Sequence, residues 1–228
     1  MTETELRRFL SGQGLLNNQA RIKKLKGGYL NSVWRVDTGK RCLVAKKFAV
    51  PMPGTLFPNL PDDEAEALCR LTGNNVAPEL VGFWPEESLL VYEYVEGGMW
   101  ESDTQSVAKL LLRKEGADPT GFRKVSLQFE DILSEGDAFF ARCQNLPDIT
   151  RPNVGKVPSP DKISLIHTDV GVNLVGNGAT LRLIDWQCPA AGDICEDIFS
   201  FILNFNLKYF FTKKYKKINC SKPAKVTP

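Results

Sequence analysis

Three short polar residues, Asp169, Asn173 and Asp185, have the types and the spacing that phosphoryl transfer from ATP needs. Each borders an apolar, strand-like run, so each is expected in a loop at the end of a buried strand. In that chemistry one carboxylate accepts or orients the proton of the attacking hydroxyl, while a carboxylate and an amide oxygen hold Mg²⁺ against the phosphates. Asp and Asn are also common in ordinary turns, which is the alternative interpretation of each residue taken alone.

Asp169 and Asp185 belong to two motifs, IHTD at residues 166–169 and IDW at residues 184–186, and Asn173 lies between them. His-x-Asp followed by Asn, then a strand ending in Ile-Asp-Trp and a second acidic pair at Asp193 and Asp197, resembles the aminoglycoside phosphotransferase/choline kinase-like family. The resemblance extends over about residues 27–202. It implies a two-lobed α+β fold of the protein-kinase type, with a strand-rich N-terminal lobe and a helical C-terminal lobe.

The resemblance also implies a role for each matching position. Asp169 is expected to be the catalytic base or the carboxylate that orients the hydroxyl, Asp185 the principal Mg²⁺ ligand and Asn173 the second ligand. His167 is expected to be structural, holding the catalytic loop by hydrogen bonds. The family usually has four residues between the Asp and the Asn, whereas this chain has three, residues 170–172. That shorter loop affects the assignment of Asn173 more than those of the two carboxylates.

A glycine pair in the first half of the chain is a candidate for phosphate binding. Gly27 and Gly28 permit close approach of the backbone and present amides to an anion, and Asn31 follows in the same segment. A Gly-Gly pair alone more often marks a plain turn. The segment lacks the GxGxxG of protein kinases, but it is similar to the looser loop of the small-molecule kinases.

Lys46 ends the following strand and is the expected ligand of the α- and β-phosphates. Glu64 is its expected partner on the next helix, and Glu66 is the alternative. Lys47 competes with Lys46, because side chains alternate along a strand and only one of the two can face the nucleotide.

The run Leu90–Gly98 resembles the inter-lobe hinge of the same family. The resemblance implies that backbone groups of Glu93, Tyr94 and Val95 bind adenine and that the glycines at residues 97 and 98 permit lobe movement. Without the resemblance, an edge strand is the simpler interpretation.

The elements that must position these residues follow from the periodicity. The first half predicts strands around a single helix. The sequence of this helix from Pro61 is PDDEAEALCRLTG, and an Asp is its expected N-cap. The second half predicts a helix capped at Asp103 or Thr104, a longer helical pattern from Val125 to Cys143, a hairpin and a last helix near Ile194. We therefore predict lobes at residues 1–96 and 97–206 and a basic tail at 207–228.

Composition describes an ordinary globular protein of 228 residues, with 43% hydrophobic and 25% charged residues and a net charge of +2. Seven of the 29 basic residues lie in the acid-free tail, so the rest of the chain carries a net charge of −5. We therefore expect neither nucleic acid nor a membrane as partner, although a lysine-rich tail that binds anionic lipid or RNA is a weaker alternative. Six scattered cysteines and the single histidine predict free thiols, no zinc site and a cytoplasmic protein.

Together these features predict an ATP- and Mg²⁺-dependent phosphotransferase that phosphorylates a hydroxyl of a small molecule. An aminoglycoside, choline or another amino alcohol, and a sugar-like metabolite are all open as acceptor. The rival prediction is a catalytically impaired nucleotide-binding pseudokinase or truncated paralogue. Because the last helix is apolar on nearly every side, we also expect self-association through it.

Overall fold

The structure is a computed structural model, and it describes residues 1–26, 30–52, 58–101, 103–126, 129–141, 159–160 and 162–205. Gly27, Gly28 and the predicted basic tail at residues 207–228 lie outside these ranges. The chain divides into two compact units. The first contains Met1–Lys114 and Val172–Pro189, and the second contains the described residues of Glu115–Gly171 and those from Ala190 onward. The lobe boundary after residue 96 stays a prediction.

Five helices and nine strands follow one another along the described residues. In chain order they are α1 (Glu3–Gly12), β1 (Arg21–Lys24), β2 (Ser32–Asp37), β3 (Cys42–Lys47), α2 (Pro61–Arg70), β4 (Leu80–Trp84), β5 (Leu89–Glu93), α3 (Thr104–Lys114), α4 (Phe129–Phe140), β6 (Ser164–Ile166), β7 (Leu174–Val175), β8 (Arg182–Leu183), β9 (Ala190–Gly192) and α5 (Ile194–Phe205).

The first five strands form one antiparallel sheet in the order β1-β2-β3-β5-β4. Alternate side chains of β2, β3 and β5 point to one face, where they are buried against α1. The cluster consists of Leu6, Leu10, Trp34, Val36, Leu43, Ala45, Leu89 and Val91. With that face occupied by apolar packing, the intervening residues of the same strands, Lys46 among them, project to the opposite face.

The prediction of a single helix in the first half is wrong, because α1 precedes the sheet. A capping box fixes its start: the Glu5 amide donates to Thr2 Oγ1 at 3.3 Å, and the Thr2 amide donates to Glu5 Oε2 at 2.6 Å. Leu6 and Leu10 lie one turn apart on its buried side. The capping residues and the four-residue apolar spacing were both visible in the sequence.

The predicted helix from Pro61 is present as α2, but its predicted Asp cap is wrong. The N-cap residue is Leu60, which is extended and makes no side-chain capping bond. Pro61 can begin the helix because its missing N–H would have had no intrahelical acceptor. The acidic residues that follow lie in the first turn, where the helix dipole favours negative charge. One of them is Glu64, which is buried.

The stretch after β5 pairs with the β7–β8 hairpin. The Gly176 amide donates to the Gly98 carbonyl and the Trp100 amide to the Leu174 carbonyl, both at 2.9 Å. Gly97 has φ +128°, and a Cβ there would lie 2.9 Å from the Cα of Gly176. Glycine is therefore required where these two backbones approach.

The helix predicted to start at Asp103 or Thr104 is α3, and Asp103 caps it by accepting from the Ser106 amide at 3.1 Å. The longer helical pattern is only partly right. Its helix, α4, begins at Phe129, whereas Val125 precedes the helix and its amide donates to the Ala191 carbonyl at 2.9 Å. Cys143 lies outside the described residues.

The prediction that all six cysteines are free thiols is wrong. Cys195 at the start of α5 is disulfide-bonded, whereas Cys42, Cys69 and Cys188 form no disulfide. Among the helices that the structure describes, none combines the length and the apolar composition that crossing a membrane requires.

The last helix, α5, buries one side and exposes another. Ile198 and Phe201 are buried in the second unit, whereas Phe199 is 57% and Leu203 is 63% exposed. These two residues are four positions apart, so they form an apolar stripe on one helix face. Such stripes favour association.

We therefore expect the double substitution Phe199→Glu and Leu203→Lys to shift the protein toward a monodisperse monomer. The two new charges are spaced for an i,i+4 pair, which preserves the helix. Light scattering at several protein concentrations measures the effect. Leu112→Lys on α3, where Leu112 is 49% exposed, is the matched control and should leave association unchanged. A wild-type protein that is already monomeric at all concentrations would contradict the expectation.

Candidate active site

A buried lysine held between two carboxylates is the centre of the candidate site. Lys46 Nζ on β3 lies 2.5 Å from Glu64 Oε2 on α2 and 2.5 Å from Asp185 Oδ1, which follows β8. The side chains of Lys46 and Glu64 are 3% and 1% exposed, whereas that of Asp185 is 36% exposed. Two fixed partners thus surround the ammonium, and one of them also reaches solvent.

The competing residues have other partners. Lys47 Nζ donates to the Glu87 carbonyl, and Glu66 accepts from Arg70 Nε at 2.7 Å one turn along α2. Strand alternation separates the two lysines as expected. The structure therefore pairs Lys46 with Glu64, and the binding of phosphate by Lys46 stays a prediction.

In this cluster, burial and the neighbouring charges shift the pKa values of Lys46 and Glu64 in opposite directions. Burial alone would lower the pKa of Lys46, but the attraction of Glu64 and Asp185 outweighs it, so the Lys46 pKa is raised. Burial raises the pKa of Glu64 to about 7, against the ammonium of Lys46, which lowers it. One cation between two carboxylates leaves an excess negative charge, and the more buried carboxylate is the one that most readily takes up a proton.

Asp185 is held in an unusual backbone conformation, with φ +63°. The next residue, Trp186, is completely buried, and its indole N–H donates to the Leu183 carbonyl at 2.8 Å. The Trp186 backbone amide donates to the carboxylate of Glu64. Left-handed backbone at a non-glycine residue is unfavourable, so these contacts are what maintain it.

Asn173 lies at the same end of the β7–β8 hairpin as Asp185. Leu174 pairs with Leu183, and the Ile184 amide donates to the Asn173 carbonyl at 2.8 Å. The predicted second ligand is therefore in register with the residue that precedes Asp185, despite the shorter loop. A carboxylate and an amide oxygen fit Mg²⁺, which prefers oxygen ligands and leaves other positions to water and phosphate. Within the described ranges, no group of three or more His, Cys, Asp and Glu residues could hold a metal.

In the second unit, a buried aspartate fixes the loop that carries Asp169. The His167 amide donates to both carboxylate oxygens of Asp197 at 3.0 Å, and the Thr168 amide donates to Asp197 Oδ1 at 2.9 Å. Asp197 is completely buried on α5. Thr168 has φ +69°, so these bonds support a strained turn.

His167 is also part of this turn. It is 1% exposed, and its Nδ1 accepts from the Asp169 amide at 3.2 Å. The imidazole therefore holds the backbone of Asp169 rather than facing solvent, which is the structural arrangement expected for it. The sequence indicated Asp197 only through the resemblance, because nothing local marks it as a partner of residues 167 and 168.

The expected adenine-binding segment lies at the end of β5. The Glu93 amide donates to the Glu79 carbonyl and the Tyr94 amide to the Cys42 carbonyl, both at 2.9 Å. These two amides are occupied within the protein, so adenine would have to use other backbone groups of the segment, such as those of Val95. Nucleotide binding here stays a prediction.

Asn31 is buried and its side chain is fully engaged with protein groups. It forms a reciprocal amide pair with Asn59, at 2.8 and 3.1 Å, accepts from the Ala49 amide at 3.0 Å and donates to Gln187 Oε1 at 3.0 Å. Any contact of this residue with phosphate would therefore come from its backbone. The sequence did not indicate Asn59 and Gln187 as partners of Asn31, since no local pattern links positions so far apart.

Neither a family model nor a curated protein sequence matches the chain. Solved structures do. A choline/ethanolamine kinase family protein from Mesorhizobium loti superposes with a TM-score of 0.66 at 15% identity, over 92% of this chain and 72% of that one. A choline kinase from Streptococcus pneumoniae gives 0.62 at 16% identity, over 91% and 76%, and has also been solved with AMP. An aminoglycoside phosphotransferase gives 0.54 at 16% identity, over 86% and 75%.

The chain thus has the α+β, two-lobed protein-kinase-like fold of choline kinases and aminoglycoside phosphotransferases. The predicted fold class is confirmed, and so is the predicted resemblance.

The raised pKa of Glu64 predicts a pH dependence of stability. The folded protein holds a proton on Glu64 up to about pH 7, whereas the unfolded chain releases it near 4.5, so the folded form binds more protons in that window. Stability therefore falls through this group as pH rises from about 4.5 to about 7. Urea titration at intervals of pH measures the unfolding free energies of wild type and Glu64→Gln. The difference between the two should change by up to roughly 3 kcal/mol across this pH window.

Glu66→Gln, on the exposed side of the same helix, should give a curve parallel to wild type. The assignment fails if the Glu64→Gln curve also runs parallel to wild type across the window.

Proposed function

We propose that the protein is a phosphotransferase that uses Mg²⁺-ATP to phosphorylate a hydroxyl of a small molecule. The observation that carries the proposal is the buried Lys46–Glu64–Asp185 cluster in a protein-kinase-like fold. A buried lysine with two carboxylates is a costly arrangement, and phosphoryl transfer gives each of the three groups a task. The choline kinase solved with AMP supports a nucleotide as the ligand.

In this proposal Lys46 binds the α- and β-phosphates, and Glu64 keeps its ammonium in place. The hydrogen bond from Lys46 to Glu64 restricts the flexible lysine side chain before the nucleotide arrives, which lowers the entropic cost of binding. Gly27 and Gly28 would approach the phosphates through their amides, and Glu93, Tyr94 and Val95 would contact adenine.

Asp185 and Asn173 are the proposed ligands of Mg²⁺. The exposed fraction of the Asp185 side chain gives the ion access to a carboxylate, and the hairpin register keeps Asn173 close to it in the fold. When bound, the ion neutralises charge on the phosphates.

Asp169 is the proposed catalytic residue. Its carboxylate accepts or orients the proton of the acceptor hydroxyl while the oxygen attacks the γ-phosphorus, and the bond from that phosphorus to the β,γ-bridging oxygen breaks to release ADP. The bonds of His167 and Asp197 to the loop backbone hold Asp169 in position for this step.

The chemical class of the acceptor is a further proposal, and the structurally similar proteins support it. Those neighbours are a choline/ethanolamine kinase family protein, a choline kinase and an aminoglycoside phosphotransferase, and the compounds in these names are all amino alcohols. We propose a cationic amino alcohol, in keeping with the net negative charge of the chain before its basic tail. That the protein works in the cytoplasm stays a prediction.

The experiment that tests the function is ATP turnover against a library of amino alcohols and sugars. We expect Asp169→Asn to lower turnover by about 10²–10⁴-fold, the usual contribution of a positioned acid or base, with nucleotide affinity nearly unchanged. Asp193→Asn is the matched control on another acidic residue of the second unit and should retain activity. Full turnover by Asp169→Asn would exclude its assigned role.

If the wild type binds Mg²⁺-ATP but phosphorylates no acceptor in the library, the protein is instead an impaired nucleotide-binding pseudokinase. If it does not bind nucleotide, the proposal as a whole fails.

The two proposed metal ligands should contribute unequally to Mg²⁺-dependent nucleotide binding. A carboxylate carries a full charge and an amide oxygen does not, so Asp185→Ala should reduce Mg²⁺-dependent nucleotide binding far more than Asn173→Ala. Calorimetric titration with a non-hydrolysable ATP analogue, with and without Mg²⁺, measures the difference. Equal losses in the two variants would contradict this ranking.

A further inference from the structure

A cluster of three carboxamides, two of them buried and the third half-buried, connects segments of the first unit that are far apart in sequence. Asn31 precedes β2, Asn59 precedes α2, and Gln187 lies two residues after Asp185. Both Asn31 and Asn59 are buried, and Asn59 has φ +53°. Buried amides that satisfy one another in this way are specific, because a misplaced partner leaves a polar group without a hydrogen bond.

Each segment joined by the cluster also carries a residue of the proposed reaction. Asn31 follows the glycine pair, and its Oδ1 accepts from the amide of Ala49, three residues after Lys46. Asn59 lies five residues before Glu64 on the chain that leads into α2. Gln187 belongs to the strained stretch that contains Asp185. The cluster is thus linked to the lysine, to its glutamate and to the metal-binding aspartate.

Three consecutive residues of that stretch are held by three different partners. Asp185 contacts Lys46, the Trp186 amide donates to Glu64, and Gln187 Oε1 accepts from Asn31. The first two bonds belong to the charged cluster and can exchange when nucleotide and metal bind. The bond to Gln187 involves neutral groups, so it can persist when the charges of the site change.

Resting on the function proposed above, we propose that the carboxamide cluster is a positioning device, in which Gln187 fixes the backbone of Asp185 relative to the phosphate-binding side. Gln187 is a positioning residue and not a ligand. For this role Gln187 needs only its Oε1 atom, which accepts from the side-chain amide of Asn31. Neither a charge nor an N–H donor is needed at this position.

That requirement gives a pair of substitutions with opposite expectations. Gln187→Glu keeps an acceptor oxygen facing Asn31, whereas Gln187→Met keeps the length and shape of the side chain and removes the acceptor. One neutral hydrogen bond contributes about 0.5–1.5 kcal/mol, so we expect Gln187→Met to lower kcat/KM for Mg²⁺-ATP by roughly 3–10-fold. Gln187→Glu should stay within about twofold of wild type, and KM for the acceptor should not change in either variant.

Gln13→Met is the matched control, because Gln13 Oε1 accepts from Trp84 Nε1 on the far edge of the sheet. It removes the same kind of bond and should leave the kinetics unchanged. Thermal unfolding of all variants separates positioning from folding, since a purely structural role would lower Tm in Gln187→Met without a selective change in kcat/KM for Mg²⁺-ATP.

Calorimetric binding of a non-hydrolysable ATP analogue with Mg²⁺ gives a readout that does not depend on the acceptor. Weaker binding in Gln187→Met than in Gln187→Glu supports the positioning device even if no acceptor is phosphorylated, in which case only the proposed reaction fails. Equal behaviour of the two variants in both binding and kinetics would overturn the inference.

Discussion

The burial of Lys46 is the constraint on which the rest of the first unit depends. An ammonium removed from water is destabilising by several kcal/mol unless opposite charges surround it closely. Here those charges come from Glu64 on α2 and from Asp185, two residues after β8, at 2.5 Å each. The helix must therefore pack on one face of the sheet and the hairpin must reach the same point. Apolar packing of α1 on the other face leaves Lys46 no alternative direction.

The stretch of residues 185–187, which supplies one of the two charges around Lys46, is held by several hydrogen bonds. Asp185 has a left-handed backbone, and the residues beside it are held by bonds to Glu64, to Leu183 and to Asn31. The loop of Asp169 shows the same pattern in the second unit, where Asp197 and His167 hold a strained turn at Thr168. Both proposed carboxylates of the reaction thus follow or occupy strained backbone that buried polar groups maintain.

The sequence by itself indicated the elements and the reactive residues because those signals are local. Apolar, strand-like runs predicted the strands of the first half and a hairpin in the second, and the His-x-Asp and Ile-Asp-Trp motifs marked Asp169 and Asp185. Two differences from the prediction are local as well: Thr2 and Glu5 form a capping box that starts α1, and Leu60 caps α2 although an Asp stands next to Pro61.

Only the tertiary structure decided which of the polar residues act together. Lys46 and Glu64 are 18 positions apart, and the Asn31–Gln187 bond spans 156 positions. Such pairs depend on how the sheet, α2 and the hairpin pack. Asn and Gln are also common at protein surfaces, so their residue type alone does not predict that they are paired. The sequence determined which residues could do the chemistry, since that depends on side-chain type and local spacing. The packing of distant segments decided which of them are buried and paired, since burial and charge are properties of the folded chain.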